Sequence, residues 1–215
     1  MPKDLSNTYL WFDTEFTSLD LDRASLLQVA LVATDHELRR VAPPERDFSC
    51  VVKIDDEQRV DPWVEEHLAT LVARCRSEEA VPLPDVDARL DSYLEDVLGE
   101  SPTDVRMRPI LAGNSLHGDW YLARKYLPSL IARAHYRVLD VSSWKIVWRN
   151  EIGKFPFDKE NDECTRKYFP GEFNSSAEVH DAHFDVLASI AELNFYMQHS
   201  SISWPPESES SPDTE

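Results

Sequence analysis

Cysteine is scarce in this chain of 215 residues: Cys50, Cys75 and Cys164 are odd in number, widely spaced and form no CxxC pair. Zinc-ribbon and disulfide-framework readings are excluded, and the three read as free thiols in a reducing compartment. Long apolar runs are missing as well, since nowhere do about eighteen uncharged apolar residues follow one another. The opening MPKDLSNTYLWFD has no basic flank leading into an apolar stretch. A membrane span and a secretory signal are therefore not expected, and the protein reads as soluble and cytoplasmic. Positive charge is also short: 22 Lys and Arg stand against 40 Asp and Glu, for a net charge of -18. That balance is the reverse of what grips a long phosphate backbone, so no long duplex is expected as a partner, and a nucleic-acid substrate would be short and held locally. No internal repeat is present.

Apolar material is ample. Hydrophobic residues make up 42% and aromatics 10%, with six Trp, which supports a packed core and excludes a disordered chain. The length suits one domain, placed at residues 1–199, followed by a Ser-, Pro- and acid-rich tail at 200–215 that should be mobile. Residues 8–16 and 26–34 are β-branched and aromatic runs separated by the polar LDLDRAS, as in paired strands, and 47–54 suggests a third. Apolar spacing of three and four predicts helices over 60–76 and 85–98 around VPLP. A buried strand is expected at 108–113 and a helix over 118–133, up to the region of Pro128. HYRVLDVSS reads as strand, turn and helix start, with Ser142 or Ser143 as N-cap. The stretch 150–176 lacks periodicity and reads as a long irregular connection. A last helix over 178–198 carries an apolar stripe of Ala182, Val186, Ile190, Leu193 and Met197.

Three constellations carry chemistry. Asp13 and Glu15 on the first strand project from one face, with Phe12, Thr14 and Phe16 pointing the other way. Two like charges at one spot favour a divalent cation between them, and hard oxygen ligands suit Mg²⁺ or Mn²⁺. Taken alone, the pair is a weak signal, and a solvated edge strand accounts for it better. Asp119 follows the strand RPILAG and the turn NSLHG, at a helix start beside a sheet edge, where ligands of open α/β sheets bind. By itself it also fits ordinary helix N-terminal charge. In HDAHFDVLASIAEL, His180 precedes Asp185 by five residues, about 140° beyond a full helical turn. His180 is thus expected in the entering loop or first turn, reaching the site from another direction than Asp185, and His183 is an alternative to it.

The order of these elements resembles the DEDDh exonuclease superfamily, and within it the oligoribonuclease family. Five blocks carry the similarity across most of residues 8–198: WFDTEFTSLD, LLQVALVATD, LAGNSLHGDWYLARKYLP, HYRVLDVSSWK and HFDVLASIAEL. The resemblance implies an α/β, ribonuclease H-like fold with a mixed five-stranded sheet flanked by helices, assembled as a homodimer. It implies that Asp13, Glu15, Asp119 and Asp185 hold two divalent ions, Mg²⁺ or Mn²⁺, and that His180 is the general base. The substrates would be dinucleotides and short oligoribonucleotides. Leu19 resembles an apolar wedge at the terminal base and Trp63 the aromatic on its other side, although core packing accounts for both equally well. Asn114 and Ser115 lie in the turn that faces substrate in the family. His135, Tyr136 and Arg137 resemble a segment that reaches the neighbouring subunit's site, where Arg137 would clamp a 5'-phosphate unless it forms a surface salt bridge. The chain departs from the family in having Ser18 where Gly is usual, and in spacing Trp63 and His67 one residue closer. Rival readings are an exonuclease for DNA 3' ends or longer RNA, and a nonhydrolytic RNA- or protein-binding platform.

Overall fold

The computed structural model describes residues 3–152, 157–159, 161–173 and 181–200. Strands β1 (Thr8–Phe16) and β2 (Leu26–Asp35) pair antiparallel, from Thr8 opposite Asp35 to Glu15 opposite Gln28. β3 (Phe48–Val51) lies antiparallel outside β2. On the other side β4 (Ile110–Gly113) runs parallel to β1, and β5 (Val138–Asp140) runs parallel to β4 at the far edge. The resulting order, β3-β2-β1-β4-β5, is the mixed five-stranded sheet expected from the sequence.

Strand alternation divides the core between the two faces of this sheet. Leu10, Phe12, Val29 and Leu31 pack with helices α3 (Leu83–Leu98), α4 (His117–Tyr126) and α5 (Pro128–Arg133). Trp11, Ala30 and Val32 face the other way, onto α6 (Val141–Val147) and α8 (Ala182–His199). α1 (Pro62–His67) and α2 (Ala69–Cys75) close a smaller cluster over Leu27 and Ile54. Cys50 and Cys75 are buried, Cys164 is half-buried, and all three are free thiols. Among the described residues no helix is long and apolar enough to cross a membrane.

Several expectations need correction. The helix expected over 60–76 is broken at Leu68, whose backbone (φ -115°, ψ 28°) leaves helical geometry while its side chain stays buried. The stretch 118–133 is helical up to the region of Pro128, as expected: α4 ends at Tyr126, Leu127 leaves helical geometry because Pro128 disfavours it in the residue before, and a second helix, α5, starts at Pro128. The N-cap of α6 is Asp140, not Ser142 or Ser143, and no turn separates β5 from the helix. Asp140 accepts from the Ser142 amide at 2.9 Å, so the acid that ends the strand already caps the helix two residues before Ser142, and both serines fall inside its first turn. Part of the supposedly irregular connection is helical: α7 (Asp162–Tyr168) is capped by Asn161, paired along its length by Arg166 with Asp162, and anchored by buried Thr165. A π-helical turn over Trp148–Ile152 extends α6. The last helix begins at Ala182 after the Asp181 cap, and Met197 is 51% exposed, so it leaves the stripe to which it was assigned. Phe184, Leu187, Ala191 and Tyr196 are buried instead, since this helix is enclosed on most sides. Residues 174–180 and 201–215, including the expected tail after Ser200, lie outside the described residues.

Gly113 ends β4 where the backbone of β1 comes close. A Cβ there would meet the Phe12 carbonyl oxygen at 2.7 Å and Leu116 Cδ1 at 3.1 Å, which is why this position needs glycine. Gly113→Ala is expected to cost about 1–3 kcal/mol through forced strand separation, read as a lower urea midpoint. An unchanged midpoint would mean that the β1–β4 spacing is not limiting.

Candidate active site

Alternation along β1 puts Asp13 and Glu15 on the same face as Trp11, the face that receives α8. Asp185 lies in the first turn of α8, directly over them. One carboxylate oxygen from each of Asp13, Glu15 and Asp185 falls within 4.8 Å of the others. The start of α8 is fixed by two devices. Asp181 caps it by accepting from the amides of His183 (3.0 Å) and Phe184 (3.3 Å). Buried Gln28, opposite Glu15 on β2, donates from Nε2 to Asp181 (2.9 Å) and accepts at Oε1 from the Ala182 amide (3.1 Å).

Asp119 arrives from the opposite side of the sheet, in the first turn of α4. Its Oδ1 accepts from the amide (2.9 Å) and hydroxyl (2.6 Å) of Thr14, the residue between the two strand acids. Thr14 does point away from Asp13 and Glu15, and that orientation is what lets it hold Asp119 beside them. The fourth carboxylate is therefore next to the first three but outside their closest grouping.

Burial and mutual repulsion raise the proton affinity of this cluster. Desolvation, then the charges of Asp119 and Asp185, push the Asp13 carboxyl well above its usual range. Burial, with Asp185 and Asp119 beside it, lifts Glu15 to about 8. Burial raises Asp119 to about 6, against the lowering effect of its Thr14 hydrogen bonds. Lys159 offers partial relief: its Nζ lies 3.3 Å from Asp185 Oδ1. Burial lowers its own proton affinity, but the charges of Asp185 and Asp13 raise it by more.

The remaining sequence candidates are distributed around this centre. Leu19 is 87% exposed and Trp63 53%, which rules out core packing for both. They line a cleft of about 370 Å³ together with Glu15, Phe16 and Ser18. Trp63 stacks on His67 with ring centroids 4.3 Å apart. Asn114 lies at another cavity, but its amide nitrogen is committed inward, to Ser189 (3.0 Å) and to fully buried Glu192 (2.9 Å). Ser115, in left-handed geometry (φ 50°), donates its amide to Asp140 and Ser142. Exposed Arg137 lies over exposed Tyr136, 5.4 Å from its ring centroid, and Tyr136 in turn stacks on His135. The Nε2 of His183 is 3.0 Å from Asp47 of the buried Arg40–Asp47 pair, so this histidine serves a network just ahead of β3. His180 lies outside the described residues.

Four contributors escape a sequence reading. Gln28 and Glu192 each left a trace, a polar residue within an apolar segment. Thr14 and Lys159 left none, because their roles depend on partners 105 and 26 residues away.

The arrangement, acids on a central strand completed by acids opening two helices, is that of an exonuclease domain. A family model described as Exonuclease matches residues 10–193, and the chain belongs to that family. Within it, the chain falls among the oligoribonucleases and is a 3'-to-5' exoribonuclease. The oligoribonuclease of Yersinia enterocolitica is 32% identical over 203 residues, covering 90% of this chain and 95% of that protein. The probable oligoribonuclease of Schizosaccharomyces pombe is 29% identical over 201 residues, covering 91% and 69% respectively. In fold the chain is similar to exonuclease I from Methylocaldum szegediense, with a TM-score of 0.64 at 17% identity, over 90% of this chain but only 41% of that one. It is also similar to S. pombe Pop2p in its Mg²⁺- and Mn²⁺-bound form, with a TM-score of 0.61 at 12% identity, over 89% and 83% of the two chains.

Glu15 titrates near 8 in the fold, against an ordinary 4.5. Below the lower value it is protonated in both folded and unfolded chains. Above it the unfolded chain releases a proton that the fold retains, so metal-free stability should fall as pH rises through the higher value. Cation binding needs the ionised form and reverses this trend. Thermal denaturation between about pH 5.5 and 8.5 should give a falling Tm without metal and a growing Mn²⁺-induced rise. A metal shift independent of pH would contradict the assignment of Glu15 to the cation site.

Proposed function

We propose that this chain hydrolyses dinucleotides and short oligoribonucleotides from their 3' ends, releasing nucleoside 5'-monophosphates. The observation that carries this reading is the approach of Asp13, Glu15 and Asp185 to within 4.8 Å, with Asp119 fastened alongside by Thr14. Repelling oxygens gathered in this way are a donor set for hard cations, and Asp13, Glu15, Asp119 and Asp185 would hold Mg²⁺ or Mn²⁺, two per site. Such a pair, when bound, supplies an acidified water and neutralises charge at a phosphodiester.

The chain's own residues do the positioning. Thr14 orients Asp119, and the Asp181 cap aims Asp185. Gln28 holds the Asp181 carboxylate and the Ala182 amide, the point from which the chain leads back to His180. His180 takes the proton of the attacking water, a role that suits an imidazole near neutral pH. The cleft between Leu19 and Trp63, bordered by Glu15, accepts the terminal base on an aromatic face. Asn114 and Ser115 shape the adjoining turn, and Tyr136 and Arg137 meet the 5'-phosphate. Exposed Tyr136 and Val138 at edge strand β5, with exposed Ile146 and Val147 on α6, support a homodimer built over this edge. A net charge of -18 favours short substrates over long ones, and the cytoplasm is the compartment we assign.

Incubation with a 5'-phosphorylated diribonucleotide and Mn²⁺ tests the reading, and failure to release any mononucleotide under any divalent metal would sink it. A length series of RNA and DNA oligomers separates it from an enzyme for longer RNA or DNA ends, for which the rate would not fall with length. His180→Ala should slow turnover about 10²- to 10⁴-fold with the fold intact. Trp63→Ala should weaken dinucleotide binding by about 1–3 kcal/mol, and an unaltered KM would remove Trp63 from the base site.

A further inference from the structure

Lys159 stands between two features of the molecule. On one side its Nζ is 3.3 Å from Asp185 Oδ1 and its charge reaches Asp13 and Glu15. On the other it lines a cavity of about 570 Å³ whose wall includes Ser115, Ser142, Lys145 and Arg149. Among the described residues, Lys145, Arg149 and Lys159 all line this cavity, in a chain whose acids outnumber its bases 40 to 22. Of these, Lys145 is paired with buried Glu192 at 3.4 Å.

The backbone bearing Lys159 is anchored. Phe157 is buried against Phe195 and Tyr168, and the hydroxyl of buried Thr165 donates to the Lys159 carbonyl at 3.5 Å. The side chain is 38% exposed, so the ammonium can pivot on its four-carbon stem while the main chain stays in place. An ammonium and a divalent cation on one carboxylate repel each other, and the ammonium is the partner with another place to go.

We propose that Lys159 is a substrate-phosphate cation stored on Asp185: it shares that carboxylate before metal loading, then turns into the neighbouring cavity to meet a phosphate of the bound oligonucleotide. The proposal rests on the oligoribonuclease reading for its substrate and on geometry for its site. It deepens that reading by naming a phosphate contact on the 157–159 segment.

Two opposed effects of one substitution test it. Lys159→Met should bind Mn²⁺ about tenfold more tightly by calorimetry without nucleotide, because a competing positive charge is gone. The same variant should bind a 5'-phosphorylated diribonucleotide about tenfold more weakly in Ca²⁺, through loss of a charge-assisted contact. Lys159→Arg should keep both affinities near the wild-type values. Weakening of both in Lys159→Met would mean that Lys159 merely holds Asp185 in place and would overturn the proposal. Tighter metal binding with unchanged dinucleotide binding would also overturn it, leaving a simple counter-ion. Both arms measure binding alone, so they report on Lys159 separately from whether the wild-type protein turns the dinucleotide over.

Discussion

Repulsion among carboxylates brought together on the central strand is the constraint around which this molecule is organised. Asp13 and Glu15 share a face of β1, Asp185 descends on them from α8, and burial together with the neighbouring charges raises the proton affinity of Asp13 and Glu15. A fold that tolerates this must hold each acid by its backbone, since the side chains acting alone would move apart. The anchoring is accordingly stiff. β1 is hydrogen-bonded on both sides, and α8 is enclosed in the core and capped by Asp181. Thr14 ties Asp119 with two hydrogen bonds to one oxygen.

The same constraint explains why the site draws on both layers of the protein. Three acids come from the Trp11 side of the sheet, but the fourth rides on α4 on the Phe12 side and reaches the cluster around the end of the strands. Gly113 permits this by letting β4 close on β1, so that the turn into α4 begins beside Thr14. A second polar network supports the turn from below. Glu192, fully buried, accepts from Asn114 (2.9 Å) and Tyr196 (2.6 Å) and pairs with Lys145. With these partners its oxygens are satisfied although buried, and it ties α8 to α6 and to the Asn114 turn.

Charge is economical across the molecule. Most acids lie outside the site and give the chain its surplus, while Lys145, Arg149 and Lys159 are concentrated around one cavity. Recognition of a small ligand by enclosed local contacts fits that distribution better than a continuous basic track would.

Legibility in the sequence followed the range of the interaction. The strands read at 8–16 and 26–34 were legible from their apolar, β-branched and aromatic runs, and the shared face of Asp13 and Glu15 follows from the two-residue period alone. The helical character of 83–98 likewise shows in the four-residue spacing of Val86, Leu90, Leu94 and Leu98. Local rules failed where two elements compete for one group: Asp140 displaced the serines as cap of α6, and α7 emerged within a stretch that has no periodicity because only Thr165 is buried there. Composition, periods of two and 3.6, and the order of the acids were determined by the chain itself, because they depend on neighbours a few residues away. Tertiary structure alone decided that Thr14 grips Asp119, that Gln28 holds the start of α8, that Leu19 and Trp63 face a cleft, and that Lys159 rests on Asp185. Each of these contacts joins positions distant in the chain, and such meetings exist only once the sheet and helices have packed.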